Sequence, residues 1–240
     1  FSAEYGRAGG GIVNVATKSG TNDFHGTVYE FNRISDLATQ GYNLQAQIPS
    51  IKKGVFTRNQ FGYSIGGPIV KDKLLFFNSI EWLRIRSLDT RITYVPTPEF
   101  LAQTAPNTQE FFNAFSLRAP IAGALVTRGE LVPNAAPGAD PTPIQLLPSG
   151  LPIFGQVFYP YPTDAGGGLP RNDYQIVGRV DYNMSDKTTM YGRYALQNSD
   201  FFPGTNADSP YVGFDTGITA ENNNVLISLT HVWSDRLVSQ

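Results

Sequence analysis

Segments of this chain that alternate apolar and polar residues with a period of two are joined by connections that are by turns very short and very long, a rhythm few architectures accept. Six such segments stand out, at 24–33, 60–66, 74–86, 173–182, 188–198 and 224–233. In the first, Thr27, Tyr29 and Phe31 are expected on one face, with Glu30 and Asn32 on the other. The second alternates Phe61, Tyr63 and Ile65 with Gln60, Gly62, Ser64 and Gly66, and the third sets Leu74, Phe76, Asn78, Ile80 and Trp82 against Ser79 and Glu81. The remaining three oppose Tyr174, Ile176, Val180 and Tyr182 to Gln175, Arg179 and Asp181; Met190, Tyr194 and Leu196 to Arg193 and Gln197; and Val225, Ile227, Leu229 and Trp233 to Asn224, Ser228 and Thr230. Each reads as a strand. Tight polar turns follow at Lys71-Asp72-Lys73, Ser185-Asp186-Lys187 and Ser234-Asp235-Arg236, which share a local pattern. The links 34–59, 87–172 and 199–223 are long, and the second holds 13 of the 17 prolines, which predicts surface loops.

A structureless link of that size argues against a compact soluble domain. It is ordinary in a transmembrane β-barrel, where strands have short turns at one rim and long loops at the other. Ten residues at about 3.3 Å each, tilted by about 45°, rise about 23 Å, close to an apolar band of about 25 Å. The expected fold class is therefore all-β: an antiparallel up-and-down meander that is part of a large transmembrane outer-membrane β-barrel. Phe76, Tyr182 and Trp233 lie beside the short turns, and Tyr174 and Trp82 toward the long loops, which suits the two headgroup levels. Glu30, Glu81, Arg179, Asp181 and Arg193 are expected to face the lumen, since on a lipid face each would cost a few kcal/mol. Inside the longest link, Thr97-Pro98-Glu99 and Thr108-Gln109-Glu110 are helix-start patterns, and the phenylalanines behind them are expected to pack the loop on itself. The alternative is a secreted or surface β-sandwich that binds carbohydrate or mediates adhesion, with its apolar faces buried between two sheets.

Charged residues make up 16% and aromatics 12%, which excludes a disordered chain, while 24 glycines and 17 prolines exclude a coiled coil. A net charge of −2 spread along the chain leaves no footprint for nucleic acid. With no cysteine and only His25 and His231, neither a metal nor a cofactor is expected, and Asp208 with Asp215 lacks the spacing of a calcium loop. No Gly-x-Ser-x-Gly element or paired-histidine helix motif occurs, so no catalysis is expected.

Residues 5 to 20, YGRAGGGIVNVATKSG, tempt a phosphate-loop reading, but Thr17 and Ile12 stand where a Walker A motif needs glycine. A dinucleotide fingerprint needs its strand before the glycines, and here the strand follows. The run from Glu4 to Asn22, which carries Tyr5, Gly6, Arg7, Gly9, Gly10, Gly11 and Asn14, instead resembles the end of the plug domain of TonB-dependent outer-membrane transporters, particularly the Oar-like group. Phe24-His25-Gly26 resembles the entry to that family's first barrel strand. Arg58-Asn59-Gln60-Phe61-Gly62, then Gly66-Gly67-Pro68-Ile69 and Lys71-Asp72-Lys73-Leu74-Leu75-Phe76-Phe77, are similar to its second and third strands. Weaker matches fall at Arg179 to Arg193 and His231 to Val238.

The resemblance implies a bacterial outer-membrane barrel of about 22 strands with a plugged lumen. Residues 1–20 would be a plug remnant and 21–240 the first part of the barrel, a fragment of the whole. The implied partners are outer-membrane lipid, the TonB complex reached through an N-terminal part, and an extracellular ligand; uptake is the family's usual activity, with export or surface functions in some Oar-like members. Tyr159, Tyr161 and Asp164, close to the glycines at 166–168, and Asp208, Tyr211 and Asp215 in the next loop are candidate contacts for a sugar or peptide. Plain turn chemistry is the competing reading of the same residues.

Overall fold

A computed structural model describes residues 16–39, 53–134 and 142–239. Its strands are β1 (His25–Ile34), β2 (Val55–Val70), β3 (Leu74–Pro96), β4 (Ile121–Thr127), β5 (Pro152–Pro162), β6 (Arg171–Ser185), β7 (Thr188–Phe201), β8 (Ile218–Ser234) and β9 (Leu237–Ser239). All lie in one antiparallel sheet ordered β1-β2-β3-β6-β7-β8-β9, so the meander expected from the sequence is present and, among the described residues, unclosed. Tyr5, Gly6, Arg7, Gly9, Gly10, Gly11 and Asn14 lie outside the described residues.

The expected loop boundaries need correction, because period-two patterning continues into what looked like links. β2 starts at Val55, β6 at Arg171 and β8 at Ile218, and β3 runs on to Pro96. Among the described residues of 87–172 there are two further strands. The edge of β3 is shared: Leu74–Ile85 pair with β6, and Leu88–Pro96 pair with β5, so β5 stands directly above β6. Beyond Val157, the far side of β5 has no β4 partner, and Pro160 and Pro162 sit there, where a missing N–H is tolerated. The helix starts are also found. Thr97 caps α1 (Pro98–Leu101) by accepting the Phe100 N–H at 3.2 Å. The second pattern is displaced: α2 (Pro106–Ala114) has Pro106 at its first position and Ala105 as its cap, which leaves Thr108 inside the helix. Two single turns complete the lobe: α3 (Arg128–Leu131), closed by a Thr127–Glu130 capping box, and α4 (Thr142–Gln145).

The turns descend in steps. Leu74, Tyr182, Met190 and Leu229 lie in one cross-strand row. The β2–β3 turn follows that row at once, whereas β6 continues three residues past it (182 to 185) and β8 five (229 to 234). A stagger of five residues over the four strand intervals between the first and last turns corresponds to a tilt of about 40°, at about 3.3 Å per residue and 4.8 Å per strand. Transmembrane barrels tilt by about 35–45°.

Directly paired residues share a face, so the register sorts every side chain. One face carries Val28, Tyr63, Ile80, Ile176 and Leu196 in a single row. Near the middle of β8 its Val225 and Ile227 are 69% and 71% exposed, and among the described residues no second layer covers them. A sandwich would bury this face. The opposite face carries Ser79, Glu81, Gln175, Arg179, Asp181, Arg193 and Gln197, as expected for a lumen wall. One strand is assigned to the wrong side by its alternation. Glu30 shares the outward row of Phe61 and Trp82, while Tyr29 and Phe31 point to the lumen, where the Tyr29 hydroxyl donates to Glu81 at 2.6 Å. The reason is the register: β1 is weakly amphipathic, and its pairing with β2 fixes its faces.

Buried side chains collect elsewhere. Phe56, Leu83, Ile85, Val95, Ile153, Val157 and Tyr159 form the core, all on the lumen side and all toward the long-loop end. The lobe above the sheet therefore folds inward over the mouth.

Candidate functional site

The lobe is built where β3 outruns β6. On its inner face Val95, Val157 and Tyr159 pack together, with Leu117, Ile121, Tyr161 and Tyr211 against them. The loop after β7 is drawn onto this core by backbone bonds from Arg118 N to Pro210 O at 2.8 Å and from Val212 N to Ser116 O at 2.9 Å. Aromatic rings fill the seam, with Phe112 against Tyr211 and Phe115 against Phe214 at centroid separations of 5.6 and 4.6 Å. Within the long link Phe100 packs on Phe154 and Phe111 on Phe115, as the sequence suggests, whereas Phe112 and Phe115 also pack on the loop after β7, which it does not.

Five of the six candidate ligand residues meet here. Tyr159 is 3% exposed, and its hydroxyl donates to Asp208 Oδ2 at 2.8 Å. Arg91 holds the same carboxylate at both oxygens, its Nε donating to Oδ2 at 3.0 Å, and its guanidinium lies 4.4 Å from the Tyr161 ring centroid. Asp215 is ion-paired with Arg118 and accepts the Ser209 N–H at 3.2 Å. Tyr211 bridges to Leu117 and lies on the core. Asp164 stands apart, in the β5–β6 loop, where it accepts the Gly166 and Gly168 N–H groups at 2.8 Å each. That loop needs its glycines: Gly166 and Gly168 have φ of 112° and 101°, and a Cβ on Gly167 would come within 2.7 Å of Phe56.

Sequence reasoning did not find Arg91 and Arg118. Alternation through 88–96 was the available signal for the first, since it continues the third strand and puts Arg91 on the inner face. Arg118 carries none, because only tertiary folding brings it to Asp215.

Electrostatics makes this a latch between β3, β5 and the loop after β7. The charge-assisted bonds from Arg91, aided by the Tyr159 hydroxyl, hold the Asp208 carboxyl below its ordinary range. Burial, then the bond to Asp208, pushes Tyr159 up to about 12. A lowered carboxyl stabilises the fold above its unfolded value and loses that contribution as pH falls through the folded value, below about pH 4. A raised phenol contributes below about pH 10, its unfolded value, and the contribution is lost by about pH 12. Amide protection over 207–217 in the full-length protein, taken relative to the intrinsic exchange rate at each pH, is therefore expected to fall at both extremes. Tyr159→Phe should weaken the latch by about 1 kcal/mol at neutral pH, and Asp208→Asn should abolish the acid limb. An unchanged protection factor at pH 3 in the parent protein would count against the latch.

A second constellation lies on the lumen wall. Arg179 chelates Asp181, with Nη2 to Oδ1 at 2.7 Å, and reaches the chain segment before β1, donating to Thr17 O at 3.3 Å and Thr17 Oγ1 at 3.2 Å. The same segment is pinned at the short-turn rim, where Asn22 Oδ1 accepts the Asp72 N–H at 2.7 Å and Gly20 lies against the Phe76 and Gly67 backbone. Asp72 has φ of 60°, the left-handed turn conformation that Asp tolerates. The N-terminal segment thus enters on the polar face. Among the described residues no His, Asp or Glu cluster could hold a metal ion.

The family described as an outer membrane beta barrel domain matches residues 16–240. Over 83 residues the chain is 39% identical to the TonB-dependent transporter Oar of Myxococcus xanthus, a match that covers 32% of this chain and 7% of that protein. The chain thus spans a small part of that relative's length. No solved structure matches the chain.

Proposed function

Since the chain belongs to the family of outer membrane beta barrel domains, in the bacterial outer membrane, we propose that it is the first part of a plugged barrel whose inward-folded outer lobe receives a ligand and whose polar wall conducts it past the plug. The Oar resemblance extends the proposal to uptake driven by the TonB complex, with residues up to about 20 as the end of the plug. What carries this reading is the bond between the two parts: Arg179, on the polar face of β6, grips Thr17 of the entering segment, as a plug held within a lumen requires. Lumen polarity and loop contacts then set selectivity. In the lobe, the rings of Tyr161 and Phe214 offer stacking to a sugar or peptide, while Tyr159, Asp208, Tyr211 and Asp215 serve by holding together the loops that present them, with Asp164 at the rim.

Planar-bilayer conductance of the full-length protein tests the reading. The intact protein is expected to stay closed, and a form lacking everything before Phe24 to open a large, steady conductance. A deletion form that inserts and remains closed would overturn it.

A further inference from the structure

The outward face of β3 changes character toward the long-loop rim. Its lower part presents Leu74, Phe76, Ile80 and Trp82, with the Asn78 amide satisfied by the Val177 carbonyl at 3.2 Å. Trp82 stacks on Phe61 with ring centroids 5.5 Å apart and shares its row with Tyr174, an aromatic level suited to the outer headgroup boundary. The next two outward positions are Arg84 and Arg86. Arg84 stands ten residues above Leu74 (74 to 84), which at a tilt of about 40° is a height of about 25 Å over the short-turn rim, the top of the apolar band. Arg86 is about 5 Å higher.

Both guanidinium groups are held, and toward one spot. Arg84 Nη1 donates to the Asp173 carbonyl at 3.0 Å and Arg86 Nη2 to Asn172 Oδ1 at 3.0 Å, so the two converge on consecutive residues of β6. The Phe202 ring, its centroid 4.5 Å from Arg86 Cζ, backs the second. Neither arginine has a carboxylate partner among the described residues. The acidic side chains of the outward strand rows, Glu30, Asp200 and Glu221, lie two or three strands away, and Asp200 accepts the Thr219 hydroxyl at 3.0 Å. Residues 40–52, between β1 and β2, contain neither Asp nor Glu. β2 flanks β3 here on one side, and β6 up to Ile85 and β5 from Leu88 flank it on the other, so no absent strand borders the pair. Two cations fixed at the height of lipid headgroups complement an anion with several oxygens, and phosphate accepts the forked N–H pairs of arginine.

We propose that Arg84 and Arg86 clamp the phosphate of one lipid of the outer leaflet, whose acyl chains descend over Trp82, Phe61 and Ile80. The charge calls for an anion, and the apolar rows directly beneath call for one that carries hydrocarbon; a free anion would use only the first. The proposal rests on the outward orientation of this face and is independent of the plug and of transport.

Native mass spectrometry of the delipidated full-length protein, titrated with bisphosphorylated lipid A or with the same lipid freed of phosphate, tests it. The phosphorylated form is expected to be retained about thirtyfold more, the equivalent of two interfacial cation contacts. Arg86→Gln should lower that preference to about fivefold, and Arg84→Gln combined with Arg86→Gln should erase it. Equal retention of the two lipids by the parent, in protein whose insertion is verified by heat-modifiable mobility, overturns the site and leaves the barrel intact. Arginines that only brace β6 would lower the urea resistance of the variants and leave the lipid preference as it is in the parent, which overturns the proposal too. Displacement of the lipid by millimolar inorganic phosphate would assign the pair to a free anion, with the same consequence. If the double variant fails to insert, Arg86→Gln, at an exposed position, carries the test.

Discussion

Arginine in place of Leu229 is expected to destabilise the inserted full-length barrel by about 2–4 kcal/mol, the cost of a cation at the bilayer midplane. Leu229 faces outward in the row of Leu74, Tyr182 and Met190. It stands five residues above the end of β8 (229 to 234), which at a tilt of about 40° is a height of about 13 Å, half of an apolar band of about 25 Å. The matched control is Gln197→Lys, on the wall that also carries Gln175 and Glu81, where a further cation meets water and a nearby carboxylate. Urea titration in phospholipid vesicles should separate the two variants clearly, with the control within about 0.5 kcal/mol of the parent. If the control were the damaging change and Leu229→Arg harmless, the two faces would be interchanged.

Removal of the Phe56 side chain should have a comparable effect, confined to the mouth. Phe56 is 2% exposed, on the lumen face opposite Ser87. Gly166 and Gly167 lie on its ring, and the Arg33 guanidinium stands 5.5 Å from its centroid. Phe56→Ala leaves a cavity under that loop and should cost about 3–5 kcal/mol of local stability. Gly167→Val should have the same sense for the opposite reason, since its Cβ would overlap the ring. Limited proteolysis and amide exchange over 163–170 should report both, with the lower halves of β6 and β7 unaffected. Protection unchanged in Phe56→Ala would mean that the loop is held by its hydrogen bonds, those of Asp164 to Gly166 and Gly168 and that of Ala165 N to Ser87 Oγ on β3 at 2.9 Å.

Several features were legible because they depend on neighbours in the chain. The turn at Lys71-Asp72-Lys73, the cap at Thr97 and the alternation of 173–182 are local, and each stands where the sequence puts it. The extra length of β3 was partly legible too, since Asp89, Arg91, Thr93 and Val95 continue its inner face. β5 was hidden by Pro152, Pro160 and Pro162, which normally argue against a strand and are tolerated at an edge. In the candidate site, Tyr159 and Asp208 were recognised as notable, but their use was not: the structure spends both on holding loops together.

The sequence alone determined the class of the sheet and the asymmetry of its two rims, because alternation with a period of two and tight polar turns are properties of consecutive residues. The tertiary structure alone decided which way β1 faces, the tilt, the inward fold of the lobe and the contact of Arg179 with Thr17. These depend on register and on pairs up to 162 residues apart in sequence. A slip of one residue would reverse a face without changing any local pattern, so only cross-strand pairing can choose.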